Sequence, residues 1–209
     1  MKTSKKVFTN KNVIYIFLLT IFSITINQYY GYQGILPIDS FLIFNSGYDL
    51  LNGNYPFKDY WTIKEPFIDF LQAIIFYIFG ISWFSYVLHA SIFNLIITLS
   101  TFFILKKFRL NINLCFFYSI CVAILTYPTA GTPFSDHHTL ILCVISLYLF
   151  FIAVKFEKKF IWFLIPLFLG FSFLSKQAPT AYFVILISIL SIVYFGLRKN
   201  YIDLLYAFF

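Results

Sequence analysis

Asp39 stands in PIDSF, Lys64 and Glu65 in KEP, Asp136 and His137 in SDHHTL, and Lys176 in FLSKQ. A carboxylate within hydrogen-bond reach of a hydroxyl can take its proton during a transfer reaction. A nearby cation stabilises charge building on a leaving anion. An imidazole can move a proton, orient a substrate or bind a metal. Each residue also has a plainer reading. Asp39 suits a helix N-cap. Glu65 suits a cap or a helix-dipole partner, with Pro66 in the first helical turn. Ser135 or Asp136 suits the cap of an ordinary polar helix start. Lys176 can snorkel to lipid headgroups or hold an anion such as a lipid phosphate. Asp136-His137-His138 is weak as a metal centre, because adjacent histidines do not readily share one ion and no spacing supplies other ligands. His89, inside an apolar run, reads as a packed core histidine. Asp49 and Asp59 read as solvated loop carboxylates.

The segments that must position these residues are apolar runs at 13–30, 67–79, 82–105, 112–127, 139–154, 160–174 and 180–197. Apolar residues make up 61% of the chain and charged residues 11%, against about 25% charged in a soluble domain. Too few charges remain to cover a water-facing surface. The net charge of +7 does not indicate a nucleic-acid partner, because the basic residues cluster at the ends of apolar runs, where they set membrane orientation. Cys115, Cys121 and Cys143 lie inside apolar runs without framework spacing and read as small buried hydrophobes.

The run 67–79 has 13 residues, about 20 Å of helix against a hydrocarbon core of about 30 Å. It also holds Asp69 and Gln72, so it reads as an interfacial helix. Pro37, Phe41, Phe44, Tyr48 and Leu51 recur at helical spacing and predict a second surface helix over 38–51. The expected fold is an all-α polytopic membrane protein with about six transmembrane helices and two outer-face interfacial helices. It forms a single membrane domain over 1–209, with an extracytoplasmic loop at 31–81. With both termini cytoplasmic and an uncleaved first span, only Lys58, Lys64 and Lys176 of the 15 basic residues fall outside the plasma (inner) membrane. Asp39, Asp49, Asp59, Glu65, Asp69 and Asp136 fall outside too, giving an acidic and aromatic outer face. The apolar run at 201–209 predicts either a short interfacial helix at the end of the chain or the front part of a longer protein.

The strings PIDSF, SGYDLLNGNYPFKDYWTIKEPFIDFLQAIIFYIFG, SDHHTL and FLGFSFLSKQ resemble the N-terminal half of the GT-C membrane glycosyltransferases. These include the protein mannosyltransferases, the aminoarabinose transferases and related bacterial transferases using polyprenyl-phosphate sugars. The resemblance implies an inverting transfer from a polyprenyl-phosphate sugar donor to a lipid, glycan or protein acceptor on the extracytoplasmic face. It implies Asp39 as general base, Asp136 as a positioning acid with His137 beside it, and Lys176 as a phosphate contact. Lys64 and Glu65 match a family Glu-Lys-Pro position in reversed order. No obligatory cofactor is implied, and a divalent metal stays open. The other reading is a non-catalytic membrane protein: a flippase or carrier component, or an assembly subunit. A transporter needs ionisable groups near the bilayer midplane, and the charges here stand at span ends.

Overall fold

The computed structural model describes residues 10–34, 39–62, 65–127 and 130–198. Among them it has eight helices: α1 (Asn10–Gly31), α2 (Asp39–Leu51), α3 (Phe67–Phe79), α4 (Trp83–Lys107), α5 (Ile112–Leu125), α6 (Ser135–Phe156), α7 (Lys159–Phe173) and α8 (Gln177–Arg198). Four of these, α1, α4, α6 and α8, are long and apolar enough to cross a membrane. The expectation of about six spans is thus met at full length by four. α5 has 14 residues and α7 has 15, rises of about 21 and 22 Å, short of a core of about 30 Å.

Helix ends follow local chemistry. Ser82 caps α4, its hydroxyl accepting from the Ser85 N–H at 3.1 Å. Asn111 caps α5, accepting from the Asn113 N–H at 2.9 Å. α2 ends where Gly53 takes a φ of +83° and the Asn54 N–H reaches back to the Asp49 carbonyl at 3.0 Å, the hydrogen-bond pattern of a glycine-terminated helix. Two expected caps are corrected. At α3 the N-cap position is Pro66, with no side-chain cap, so Glu65 does not cap it. At α6 the N-cap is Phe134, so neither Ser135 nor Asp136 caps it.

Hydrogen bonds and ring contacts sort the helix ends into two levels. At one level Tyr15 donates to Asn113 at 2.8 Å, Lys155 reaches the Lys107 carbonyl at 3.4 Å, and Arg198 pairs with Glu157. At the other the Trp83 indole donates to the Gly31 carbonyl at 2.9 Å and Asn27 donates to the Gly131 carbonyl at 2.8 Å. Asp136 and Lys176 meet at this second level. α1, α4 and α5 pack together, as do α6, α7 and α8, and α4 joins the two groups through α6. α2 and α3 form an antiparallel pair across the second level, with Phe44 against Phe76 at 4.9 Å between ring centroids.

The interior mixes apolar clusters with many polar residues. Ser23 and Asn27 of α1, His89, Ser91, Asn94 and Thr98 of α4, and Ser146 of α6 are buried, while Phe17, Ile96, Leu140 and Ile185 are exposed. In an apolar solvent, burial gains little for leucine, and interhelical hydrogen bonds and close packing hold helices together. Asn94 bonds the Ala123 carbonyl of α5 at 2.9 Å and Asn27 bonds Ser91 of α4 at 3.2 Å. Gly131 has a φ of +61°, and a Cβ there would run into the backbone of Gly31 and Asn27. Glycine is therefore required for the bend before α6 to rest on the end of α1.

Candidate functional site

α3 is the element that most changes the reading of the site. It turns Asp69 and Gln72 inward, at 3% and 0% exposure, and Phe70, Ile74 and Tyr77 outward. An apolar outer face suits lipid contact. The buried Asp69 is a site candidate that the sequence reading had given no role. Its signal was a carboxylate and an amide three residues apart on one face of an otherwise apolar helix. Tyr60 and Tyr86 both feel its charge. The Tyr60 hydroxyl, in the loop before α3, is pushed up to about 12, first by burial and then by Asp69, while Ser46 pulls the other way.

The expected site residues fall as follows. Asp39 opens α2, and Lys64 lies outside the described residues. Glu65 is half-buried just before α3. The Phe67 ring stacks on Phe171 at 5.2 Å, which brings the start of α3 to the end of α7, just before Lys176. Asp136 and Lys176 form an ion pair at 2.6 Å, both about half exposed. The Lys176 ammonium thus meets a carboxylate. The Asp136 charge also lies in the first turn of α6, where the helix dipole favours an anion.

His137, half-buried, packs on the Tyr127 ring at 4.9 Å. It stands at one end of an apolar cleft of about 370 Å³ between α4, α5 and α6, lined by Ile97, Val122, Leu125, Leu140 and Val144. Leu125 and Leu140 are 70% and 50% exposed, so the cleft opens sideways. His138, one residue on from His137, points the other way and is fully buried. Its Nε2 lies 3.2 Å from Nε2 of His89, and His89 Nδ1 lies 2.9 Å from Gln72 Oε1. His89 is buried as expected, but it packs against polar partners. A pairing between residues 49 apart leaves no trace in local sequence.

Asp59 is an exposed loop carboxylate, as read from the sequence, and accepts from the Tyr55 N–H at 2.9 Å. Among the described residues no three His, Cys, Asp or Glu side chains come together as a cation cluster. Cys143 Sγ lies 3.0 Å from the Ser172 hydroxyl, which also meets Thr180 at 2.7 Å, a packed polar contact between α6, α7 and α8. Comparison with protein-family models, with curated proteins and with solved structures finds no match.

Proposed function

We propose that the chain is a membrane glycosyltransferase. In this reading it moves a sugar from a polyprenyl-phosphate donor to an acceptor on the extracytoplasmic face, with inversion. The observation that carries the proposal is the company of Asp136, His137 and Lys176: an ion pair next in sequence to an imidazole that lines an apolar cleft. A lipid-phosphate substrate asks for that combination of chain groove and polar head site. In the proposed reaction Asp39 takes the acceptor hydroxyl proton and the acceptor oxygen attacks the sugar's anomeric carbon. The bond from that carbon to the phosphate oxygen breaks, and the lipid phosphate leaves with the electron pair. Lys176 is proposed to sense that charge, and Asp136 to hold Lys176 in place.

The proposed topology has six crossings, with α5 and α7 extended by their flanking residues. The end carrying Lys107, Lys155 and Arg198 is cytoplasmic and the Asp136 end is extracytoplasmic, in line with the positive-inside rule. Tyr55, Phe57 and Trp61, all exposed, suit the interfacial aromatic belt.

The test is Asp39→Asn in isolated membranes. Transfer from a polyprenyl-phosphate sugar is expected to fall at least a hundredfold, within the range of about 10²–10⁴ for loss of a general base, with insertion unchanged. Full activity in that variant sinks the assignment. One observation favours the non-catalytic reading: Asp136 already neutralises Lys176 at 2.6 Å. If the wild-type chain transfers no sugar from any such donor, a carrier or assembly role takes precedence.

A further inference from the structure

The contact between His89 and His138 obeys a strict hydrogen-bond logic. His138 Nδ1 lies 2.8 Å from the Phe134 carbonyl. A carbonyl only accepts, so His138 Nδ1 carries a proton, and in neutral His138 the Nε2 carries a lone pair. With His138 neutral, His89 Nε2, at 3.2 Å, donates to it. A neutral His89 with its proton on Nε2 has a lone pair on Nδ1, which cannot sit against the Gln72 Oε1 at 2.9 Å. Turning the Gln72 amide over resolves this, so that Nε2 donates to His89 Nδ1. One extra proton resolves it too, with His89 Nδ1 donating to Oε1 and the proton between the two Nε2 atoms borne by either ring.

Turning an amide over exchanges its oxygen and nitrogen without changing its shape. In the present orientation Gln72 Nε2 is buried with no hydrogen-bond partner; in the turned amide Nε2 donates to His89 Nδ1 and Oε1 takes the unpartnered place. The turned amide therefore belongs to the neutral pair and the present one to the protonated pair. The chain of contacts stays intact in both states. A second proton has no such place. It would set two N–H groups head to head at 3.2 Å and two positive charges on adjoining rings.

We propose that Gln72, His89 and His138 form a binding site for a single proton, with the Gln72 amide turning as the proton enters and leaves. The site joins three elements: α3 through Gln72, α4 through His89 and α6 through His138. Its three side chains are 0%, 1% and 0% exposed. The titratable groups within four residues of its members on these elements are Asp69 on α3, Tyr86 on α4, and Asp136 and His137 on α6, with Tyr127 in the bend before α6. The Tyr127 hydroxyl lies 3.3 Å from His138 Nδ1. The incoming proton comes from water, and no other bond is made or broken. Ionisable groups within a helical bundle are costly and mark proton pathways. The proposal stands independently of the glycosyltransferase reading.

The experiment is ¹⁵N NMR of the imidazoles in the full chain in lipid nanodiscs, followed from neutral pH into acid. The chain has 3 His, and His137→Asn assigns the third. At neutral pH His89 is expected as the Nε2–H tautomer and His138 as the Nδ1–H tautomer. On acidification the two signals are expected to move together in one step worth one proton. Two separate steps worth two protons overturn the proposal, and so does the absence of any step before the protein unfolds. Gln72→Glu checks the role of the amide. A carboxylate facing Nδ1 favours the imidazolium, so the step is expected to move up by about one to three pH units; no shift, or a downward one, overturns that role.

Discussion

An ammonium at the end of α7 meets a carboxylate at the start of α6, and the pairing limits what either can do alone. Both partners are about half exposed, so their mutual attraction is screened by water. Asp136→Asn and Lys176→Met are each expected to cost less than about 1 kcal/mol of stability, read by thermal unfolding in detergent. Sugar transfer is expected to fall much further than stability in both. A loss of fold that tracks the loss of activity would make the pair purely structural. Tyr60 gives a test of the α2–α3 loop. Its folded-state value is raised from 10 to about 12, so the folded chain keeps the phenolic proton after the unfolded chain has lost it. The resulting stability is fully present below pH 10 and is lost as the pH rises through about 12. Tyr60→Phe is expected to remove that part of the alkaline loss. Identical alkaline profiles for the two proteins would contradict the assignment.

At the scale of elements, Gly131 carries the sharpest expectation. Gly131→Ala places a Cβ against the backbone of Gly31 and Asn27 at a φ of +61°. The expected cost is about 1–3 kcal/mol. Gly170→Ala, inside α7 with open space around it, is the control and should cost nothing, since alanine favours a helix over glycine. Equal stability of the two variants would mean that the bend is not held against α1. The two elements most legible in the sequence were α2 and α3. Pro66 and Gly80 bracket α3, and it spans the expected residues. α2 starts at Asp39, one residue inside the expected 38–51. The start of α6 was less legible. It begins at Ser135, ahead of the apolar run at 139–154, so the polar helix start read at Ser135 or Asp136 is present but capped one residue earlier, at Phe134. α6 can bury polar residues because His138 has a partner on α4. That partner, and the Lys176 partner of Asp136, lie 40 or more residues away in sequence, beyond what periodicity or local spacing encodes. Asp69 was visible as a residue, but its burial was not, because an interfacial helix is expected to face its polar side to water.

For the whole molecule, the charges separate by end. Lys107, Lys155, Glu157 and Arg198 gather at one level, and Asp136 and Lys176 at the other. The proposed topology makes this separation a statement about sides. With Cys115, Cys121 and Cys143 replaced, a thiol introduced by Asn54→Cys is expected to react with an impermeant maleimide from outside the cell, and one introduced by Arg109→Cys only after permeabilisation. The reverse pattern would invert the whole arrangement and put the carboxylates in the cytoplasm. The most direct measurement is sugar transfer by the purified wild-type chain and by Asp39→Asn in liposomes. Both receive a labelled polyprenyl-phosphate hexose and a lipid acceptor, and the anomeric configuration of the product is determined. The account predicts an inverted product from the wild type and at least a hundredfold less from the variant, within the range of about 10²–10⁴ for a lost general base. No transfer by the wild type, or equal transfer by both, would contradict it.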